Sequence, residues 1–411
     1  MSVRRLRVLL LGWNYAPEVA GIGPYNTELA EGLTERGHEV TAVTSFPLYP
    51  EWQLQPGGGG FLRWEVLNGV SVRRGWAHIP RPRSAASRIL FDCSVTGMAL
   101  LNGLPLRGVD VVICVLPPLQ MAISGLAIAR LHCAATVLHL QDIVPDLAVS
   151  SGMMSDTGTA FRIARRLETF AYAHADRISV ITPGFRRNLA AKGVPEEKLV
   201  TLPNWVRLPK SVPASGALGL RAKFGLPLHG YLLIHAGNMG EKQALDGVVA
   251  AAGELEGKSE VHIVLVGDGQ ARAHLQAMVA ERGLSNVTFL PFQEDLASLL
   301  GAADALLLTQ RPELVDSVIP SKLLAYMAAA RPVLASAHPD GDTARMVTES
   351  GCGLLVNPAE ADSLAVGIRT LAALPAAAAA EYGASGRRFA NRLQDREAVL
   401  DRWEAMLLGL T

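Results

Sequence analysis

The sequence predicts an α/β protein made of two doubly wound, Rossmann-like domains, each a parallel sheet layered between helices. Three observations carry that expectation. The chain has 411 residues, more than one ordinary α/β core takes up, so two domains are needed. Short apolar runs alternate with helical patterns along most of it, as strands buried on both faces of a parallel sheet require. The alternation stops once, in a Pro/Gly-rich stretch, and then resumes.

In the first series, residues 7–12 read as a strand and 26–36 as a helix with Leu29, Ala30 and Leu33 on one face. Gly37 ends that helix. Residues 40–44, 109–115, 135–140 and 177–182 read as further buried strands. The interruption at 202–227 holds Pro203, Pro209, Pro213, Gly216, Gly219, Gly225 and Pro227, with a lead-in helix near 220–224. The second series places strands at 231–236, 261–266, 287–290, 304–308 and 333–336. The tail, 376–410, is helical by composition, and Trp403 with its apolar neighbours suggests packing. The expected division is 1–203 for the first domain, 204–228 for the linker and 229–385 for the second domain; 386–411 forms a C-terminal helix returning to the first. Two such domains face each other across a central cleft, and open parallel sheets take ligands at the carboxyl ends of their strands.

Apolar residues make up 49% of the chain and charged residues 18%, an ordinary globular balance. With 38 basic and 38 acidic side chains there is no global field to draw nucleic acid, and no such partner is expected. Cys93, Cys114, Cys133 and Cys352 have no metal-ligand spacing, and Cys114 and Cys133 read as small buried residues. No DxD-like pair is present, and neither a metal nor a cofactor is expected. The start of the chain has basic residues before an apolar run too short for a signal peptide, with a Gly-Trp-Asn-Tyr-Ala-Pro turn directly after it. A first strand and a cytoplasmic location are the expectation. Residues 89–106 are largely apolar, follow Arg81, Arg83 and Arg88, and include Asp92, Asn102 and Pro105. They are short for a membrane span. Core helices of the first domain, or a basic amphipathic surface resting on a membrane, are the two readings.

Four stretches at expected strand ends have functional chemistry. In the first, residues 14–23, Gly21 and Gly23 let backbone approach a ligand just before a helix, whose free N–H groups favour an anion. A tight strand-to-helix connection needs fewer residues than this loop, which also carries Pro17 and Glu18. In the second, Gly237-Asn238-Met239-Gly240-Glu241-Lys242-Gln243, Gly237 frees the backbone and Lys242 reaches over the next helix start, an ammonium for a diphosphate. In the third, Asp316-Ser317-Val318-Ile319-Pro320-Ser321-Lys322, small residues before a helix suit phosphate or ribose; a helix start capped by Ser317 or Ser321 explains them equally well. The fourth, residues 139–146, brings His139, Asp142 and Asp146 to one strand end, as site residues or as structural ones. Gly267-Asp268-Gly269 lacks the third glycine of a dinucleotide fingerprint, since Arg272 stands there, and reads as a strand-to-helix turn. Pro203-Asn204-Trp205 reads as hinge geometry.

Together these segments resemble the GT-B glycosyltransferases of the GT4 family, and within it the colanic-acid-type fucosyltransferases of bacterial exopolysaccharide synthesis. The resemblance rests on Asn14-Tyr15-Ala16-Pro17-Glu18 with Gly21-Ile22-Gly23, Phe46-Pro47-Leu48-Tyr49-Pro50-Glu51-Trp52-Gln53, Gln141-Asp142, Leu202-Pro203-Asn204-Trp205, the 237–243 stretch and Val318-Ile319-Pro320-Ser321-Lys322-Leu323. It implies an acceptor-side first domain and a nucleotide-sugar-binding second domain, with a GDP- or UDP-linked donor, fucose as a candidate sugar and a polyprenyl-linked saccharide acceptor. It also implies retention of configuration without a divalent metal. Gly21 and Gly23 then lie near the diphosphate and the transferred sugar, Gly237 and Lys242 hold the diphosphate, and Phe292 lies near the base. Ser317, Val318, Ile319 and Ser321 complete the donor site. Relatives carry an arginine where Asn238 stands and two glutamates where Ser317 and Ala325 stand. Lys322 is the candidate replacement cation, and Ser321, Lys322 and Tyr326 are the candidate ribose contacts. His139, Asp142 and Glu18 are candidates for holding donor or acceptor hydroxyls, and no general base is assigned. A nucleotide-sugar epimerase and a non-catalytic nucleotide-binding protein are the alternatives.

Overall fold

The computed structural model describes residues 4–19, 21–55, 58–80, 84–150, 155–205, 217–315, 321–360, 362–393 and 396–411. The chain divides into two compact units, Met1–Trp205 with Arg396–Thr411, and Val206–Asp395.

The first unit contains β1 (Arg7–Leu11), α1 (Gly23–Glu35), β2 (Glu39–Ser45), β3 (Leu62–Leu67), β4 (Val70–Gly75), α2 (Ala85–Gly103), β5 (Val111–Leu116), α3 (Met121–His132), β6 (Ala135–Leu140), α4 (Val144–Ser150), α5 (Thr159–His174), β7 (Arg177–Val180), α6 (Pro183–Ala191) and β8 (Leu199–Thr201). Its strands lie in the order β3-β4-β2-β1-β5-β6-β7-β8. All neighbours are parallel except the β3–β4 hairpin. That hairpin is missing from the sequence expectation, although Asn68-Gly69 announces it. Both residues adopt positive φ (47° and 83°), which a two-residue turn matched to strand twist requires. β3 is an edge strand with exposed Leu62, Trp64 and Val66, so it lacks the apolar run that marks the central strands.

The second unit contains α7 (Ala217–Lys223), β9 (Tyr231–Ala236), α8 (Asp246–Leu255), β10 (Val261–Val266), α9 (Arg272–Glu281), β11 (Val287–Leu290), α10 (Leu296–Gly301), β12 (Ala305–Thr309), α11 (Ser321–Ala328), β13 (Val333–Ser336), α12 (Asp342–Ser350), β14 (Gly353–Val356), α13 (Ser363–Ala372) and α14 (Ala376–Leu393). Its all-parallel sheet runs β11-β10-β9-β12-β13-β14. The strand order reverses between β9 and β12 here, and between β1 and β5 in the first unit. At such a reversal the helices leave to opposite faces and open a crevice at the strands' carboxyl ends.

The last helix, α15 (Arg396–Leu408), is counted with the first unit. Val399, Leu400, Trp403 and Leu407 join the core formed by Leu10, Leu29, Leu33 and Val111. A Cβ on Gly32 would collide with Leu400, so glycine permits the close approach of α1 and α15. Arg36 binds Glu397 and, at 2.9 Å, Asp401 along the same seam. The sequence boundary at 385/386 falls inside α14. Cys133 is exposed rather than buried: it ends α3 in the left-handed conformation, φ 52°, outside the core. Residues 85–103 form a single helix, capped by the Ser84 hydroxyl accepting from Ser87 N (3.2 Å). Among the described residues no single helix is long and apolar enough to cross a membrane.

Candidate functional site

In the second unit the loop after β9 is knitted to its neighbours through backbone. Gly237 N donates to Val266 O (2.9 Å), Met239 N to Asp268 O (2.8 Å) and Ala271 N to Met239 O (2.9 Å). A Cβ on Gly267 would collide with the Gly237 carbonyl. The Gly267-Asp268-Gly269 turn therefore exists to let two strand ends close on each other. From the other side, Arg311 N donates to Lys242 O (3.0 Å) and Arg311 Nε to Glu241 O (3.0 Å), while the Thr309 hydroxyl donates to Gln243 O. The loop that carries Lys242 is thus stapled to β12 at the point where strand order reverses.

Lys242 lies in a short 3₁₀ turn, Glu241–Gln243, ahead of α8 rather than over its start. The first turn of α8 carries Asp246, so its N–H groups are a poor place for an anion. Among the described residues the Lys242 ammonium has no hydrogen-bond or ion-pair partner, and it is partly exposed. Asn238 is exposed beside Gly240. Phe292 is exposed beyond the end of β11.

Lys322 enters from α11. Its ammonium is 3.2 Å from His235 Nε2, and a Cβ on Gly237 would sit 3.1 Å from it. Burial pulls its pKa down to about 7. Burial first, and Lys322 second, hold His235 well below the usual histidine range. One turn on, the buried Tyr326 hydroxyl accepts from Ala236 N (2.8 Å) and donates to Ala236 O (3.2 Å). Tyr326 is therefore committed to backbone, which removes it as a ribose contact. Ser317, Val318 and Ile319 lie outside the described residues, as does the side chain of Ser321, the first residue of α11. Two residues at this site are absent from the sequence expectation. His235 stands in an otherwise apolar strand and looks like core; Arg311 follows a strand without a glycine to mark it. The strand order that makes both significant is not legible locally.

In the first unit Gly21 (φ 66°) lies against the Tyr49 ring, 3.1 Å from a would-be Cβ, and Gly23 opens α1. That helix has no side-chain cap, and because Pro24 has no N–H and Asn26 N donates to Ile22 O (3.1 Å), the first-turn donors left available among the described residues are those of Gly23 and Tyr25. Glu18 is buried and fully engaged: Oε1 accepts from Leu48 N and Tyr49 N (both 2.9 Å), and Oε2 accepts from Asn14 Nδ2 (2.8 Å). Burial raises its pKa. It ties the loop after β1 to the loop after β2.

His139 is likewise enclosed. Gln141 Nε2 is 2.7 Å from His139 Nε2, and Ser179 Oγ is 2.9 Å from Nδ1. The Gln141 amide donates, so Nε2 accepts and Nδ1 carries the proton. Burial pulls the ring's pKa down to about 4, and Trp403 packs edge-on at 5.0 Å. As placed, the ring has no free nitrogen and acts as a support. Gln141 also pairs reciprocally with Asn204 (2.7 and 3.0 Å), and Trp205 Nε1 donates to Glu28. Asn204 and Trp205 are thus anchors within the first unit. Asp146 binds Lys192 (2.8 Å) and Arg165 (3.2 Å) in a structural network. Asp142 is half-buried, and its charge reaches Tyr49 together with that of Glu18.

The second unit thus offers an anion two ammonium groups around one loop, and the first offers a glycine loop, an uncapped helix start and a carboxylate. The sequence of residues 20–205 matches the model of the glycosyl transferase 4-like domain, and residues 230–373 match glycosyl transferases group 1. WcaI of Escherichia coli K12, named as a colanic acid biosynthesis glycosyl transferase, aligns over 410 residues at 30% identity, 96% of this chain and 98% of that one. The chain belongs to the GT4 glycosyltransferases. Among solved structures this glycosyltransferase is similar to sucrose-phosphate synthase from Thermosynechococcus elongatus, with TM-score 0.76, 19% identity and 99% of both chains covered. It is also similar to HepE of Anabaena in complex with UDP-glucose, with TM-score 0.72, 17% identity and coverage of 99% and 100%. Those likenesses give the glycosyltransferase its fold, GT-B.

Proposed function

We propose that this enzyme moves a sugar from a GDP- or UDP-linked donor onto a polyprenyl-linked saccharide in exopolysaccharide biosynthesis, with retention of configuration. Fucose from GDP-fucose is the first donor to test. The observation that carries the reading is the pair of ammonium groups, Lys242 and Lys322, at opposite ends of the 237–243 segment and its partner helix where strand order reverses. When a nucleoside diphosphate leaves, negative charge grows on its outer phosphate, and fixed cations there lower the barrier. Lys242 and Lys322 supply that charge, Gly237 and Asn238 line the loop, and Phe292 offers an exposed ring to the base. Ser317, Val318, Ile319 and Ser321 complete the donor site. In the first unit Gly21, Gly23 and Asp142 face sugar hydroxyls, while Glu18 and His139 hold the loops that present them. The bound UDP-glucose of HepE supports a nucleotide-sugar donor, and the name of WcaI supports an exopolysaccharide product.

A donor screen with purified protein and lipid-linked saccharides tests this. The expected result is transfer from one nucleotide-sugar, with the anomeric configuration of the product equal to that of the donor by NMR. Turnover of donor without any acceptor would mark an epimerase instead. Binding of nucleotide with no turnover on any acceptor would mark a non-catalytic protein.

We further place the enzyme in the cytoplasm, on the inner face of the membrane. The adjacent helices α2, α3 and α5 expose Ile89, Leu90, Leu101, Ile123, Leu131 and Phe170, with Arg130, Arg162 and Arg166 exposed among them. Their two acidic residues are neutralised: Asp92 binds Arg88 (3.1 Å), and the buried Glu168 binds Lys192 (3.0 Å). Apolar side chains rimmed by arginines suit an anionic lipid surface. Arg88 is held over Trp52 and Phe91, 5.2 and 5.0 Å from the ring centres, and Arg81 and Arg83 lie outside the described residues.

A further inference from the structure

A lysine ammonium drawn out of water against an imidazole is a costly way to fill space. Burial disfavours the charged form, and an apolar side chain would fit at lower cost. Such a contact calls for a compensating role, and its geometry points to one.

His235 is the penultimate residue of β9 and is completely buried. Its Nδ1 lies 3.2 Å from the carbonyl of Leu307 on the adjacent β12. The backbone of Asn238 also lies near the ring, but the Leu307 carbonyl is the one at hydrogen-bond distance and geometry; a carbonyl only accepts, so Nδ1 carries the proton and Nε2 presents a lone pair. That lone pair faces Lys322 Nζ at 3.2 Å. The ring is locked between two central strands, so the direction of its acceptor is fixed. The helix that brings Lys322 is fixed at the same place, because Tyr326 clamps both backbone groups of Ala236. Gly237, at φ 138°, leaves the space that the ammonium fills. An ammonium has three donors; one goes to His235, and among the described residues the other two meet no partner and remain for a ligand beside the loop that leads to Lys242.

We propose that His235 is a positioning residue for the donor's diphosphate: its Nε2 holds the Lys322 ammonium beside Gly237, where the ammonium and Lys242 grip one anion. The inference rests on the donor-site reading above. The described elements around Lys322 bring few other titratable groups to it. On β9 the other titratable residue is Tyr231, at the strand's far end; β12 has none; α14, packed against α11, sends Arg387 to the Ala328 carbonyl at the opposite end of α11. In the free enzyme the Lys322 pKa near 7 leaves the group only partly charged at neutral pH. A diphosphate favours the ammonium, so binding above pH 7 takes up a proton, and affinity falls as pH rises.

The test is calorimetric titration of UDP and GDP into the intact enzyme and into Lys242→Ala, Lys322→Met, His235→Leu, His235→Gln and the His235→Leu/Lys322→Met double variant, each checked for folding by circular dichroism. Lys322→Met and His235→Leu are each expected to weaken binding on the order of tenfold, the usual effect of losing one charge-assisted hydrogen bond. The double variant is expected to bind no worse than Lys322→Met alone, because both changes remove one interaction. His235→Gln, which keeps an acceptor near the position of Nε2, is expected to recover most of the loss. Between pH 7 and 9 the wild-type affinity is expected to fall more steeply than that of Lys322→Met. The difference removes the titration of the nucleotide's own phosphate.

Unchanged binding in His235→Leu, or additive losses in the double variant, overturns the positioning role while leaving the donor site standing. If His235→Leu does not fold, His235→Gln and the pH comparison decide. A His235→Gln variant as weak as Lys322→Met, or equal pH slopes in wild type and Lys322→Met, overturns the proposal. If neither nucleotide binds the wild type, the donor-site reading falls and takes this inference with it.

Discussion

Tyr326 commits its hydroxyl to one peptide unit, accepting from the Ala236 amide and donating to the Ala236 carbonyl. This is local chemistry with a large reach, since it joins α11 to the end of β9 just before Gly237. Removing the hydroxyl leaves a buried amide and carbonyl unpaired, which costs about 1–3 kcal/mol. Tyr326→Phe is therefore expected to lower the unfolding free energy by that amount, read as a lower urea midpoint with an unchanged denaturant slope. Stability equal to wild type would show that the clamp contributes nothing. The same residue marks a limit of sequence reading. It stands where a ribose contact is expected, but a tyrosine within a helix says nothing about which backbone its hydroxyl meets. Lys242 is legible because strand, glycine and lysine follow one another in the chain. His235 and Arg311 are not, because their meaning comes from β12 lying beside β9, about 70 residues away in sequence. Glu18 and His139 carry the residue types of a catalytic site, and only their completed hydrogen bonds assign them to support.

At the scale of elements, the central strands are the part the sequence states most plainly. Each is an apolar run bounded by polar turns, and strand bounds at Ala135–Leu140, Tyr231–Ala236, Val261–Val266, Val287–Leu290 and Val333–Ser336 agree with that reading. The edge elements β3, β8 and β14 are short or half exposed, and their patterns are diluted accordingly. The seam between α1 and α15 joins residues 361 positions apart in the chain and depends on Gly32. Trp403 is its largest buried side chain and also covers His139. Trp403→Ala is expected to cost about 3–5 kcal/mol, read as a lowered unfolding midpoint. A loss under about 1 kcal/mol would mean that α15 is an appendage and not part of the core.

At the scale of the whole molecule, both sheets reverse strand order once; the loop with Gly21 and the 237–243 loop follow β1 and β9 at those reversals, while Asp142 and Phe292 follow β6 and β11, farther along the same carboxyl edges. The two-sheet organisation is legible from the sequence because the alternation of strand and helix breaks in one place. Surface character is less so: the apolar stretch at 89–106 is visible, but its union with α3 and α5 into one surface depends on packing. That surface gives a further expectation. The enzyme should float with vesicles containing anionic lipid, and Arg130→Gln/Arg162→Gln/Arg166→Gln should weaken partitioning by up to about a hundredfold, since each basic residue contributes about 1 kcal/mol near such a surface. Flotation with neither kind of vesicle would remove the membrane contact, and equal flotation with neutral and anionic vesicles would remove the part given to the arginines.

The central claim is that Lys242 stabilises the charge of a departing nucleoside diphosphate. The measurement that bears on it most directly is kcat/KM for sugar transfer by Lys242→Ala beside wild type, with the donor found in the screen and unfolding midpoints recorded for both. The account predicts a loss on the order of a hundredfold or more, the effect of removing one fixed charge-stabilising group from a transition state, with the midpoint unchanged. Transfer at the wild-type rate by a folded Lys242→Ala enzyme would contradict it.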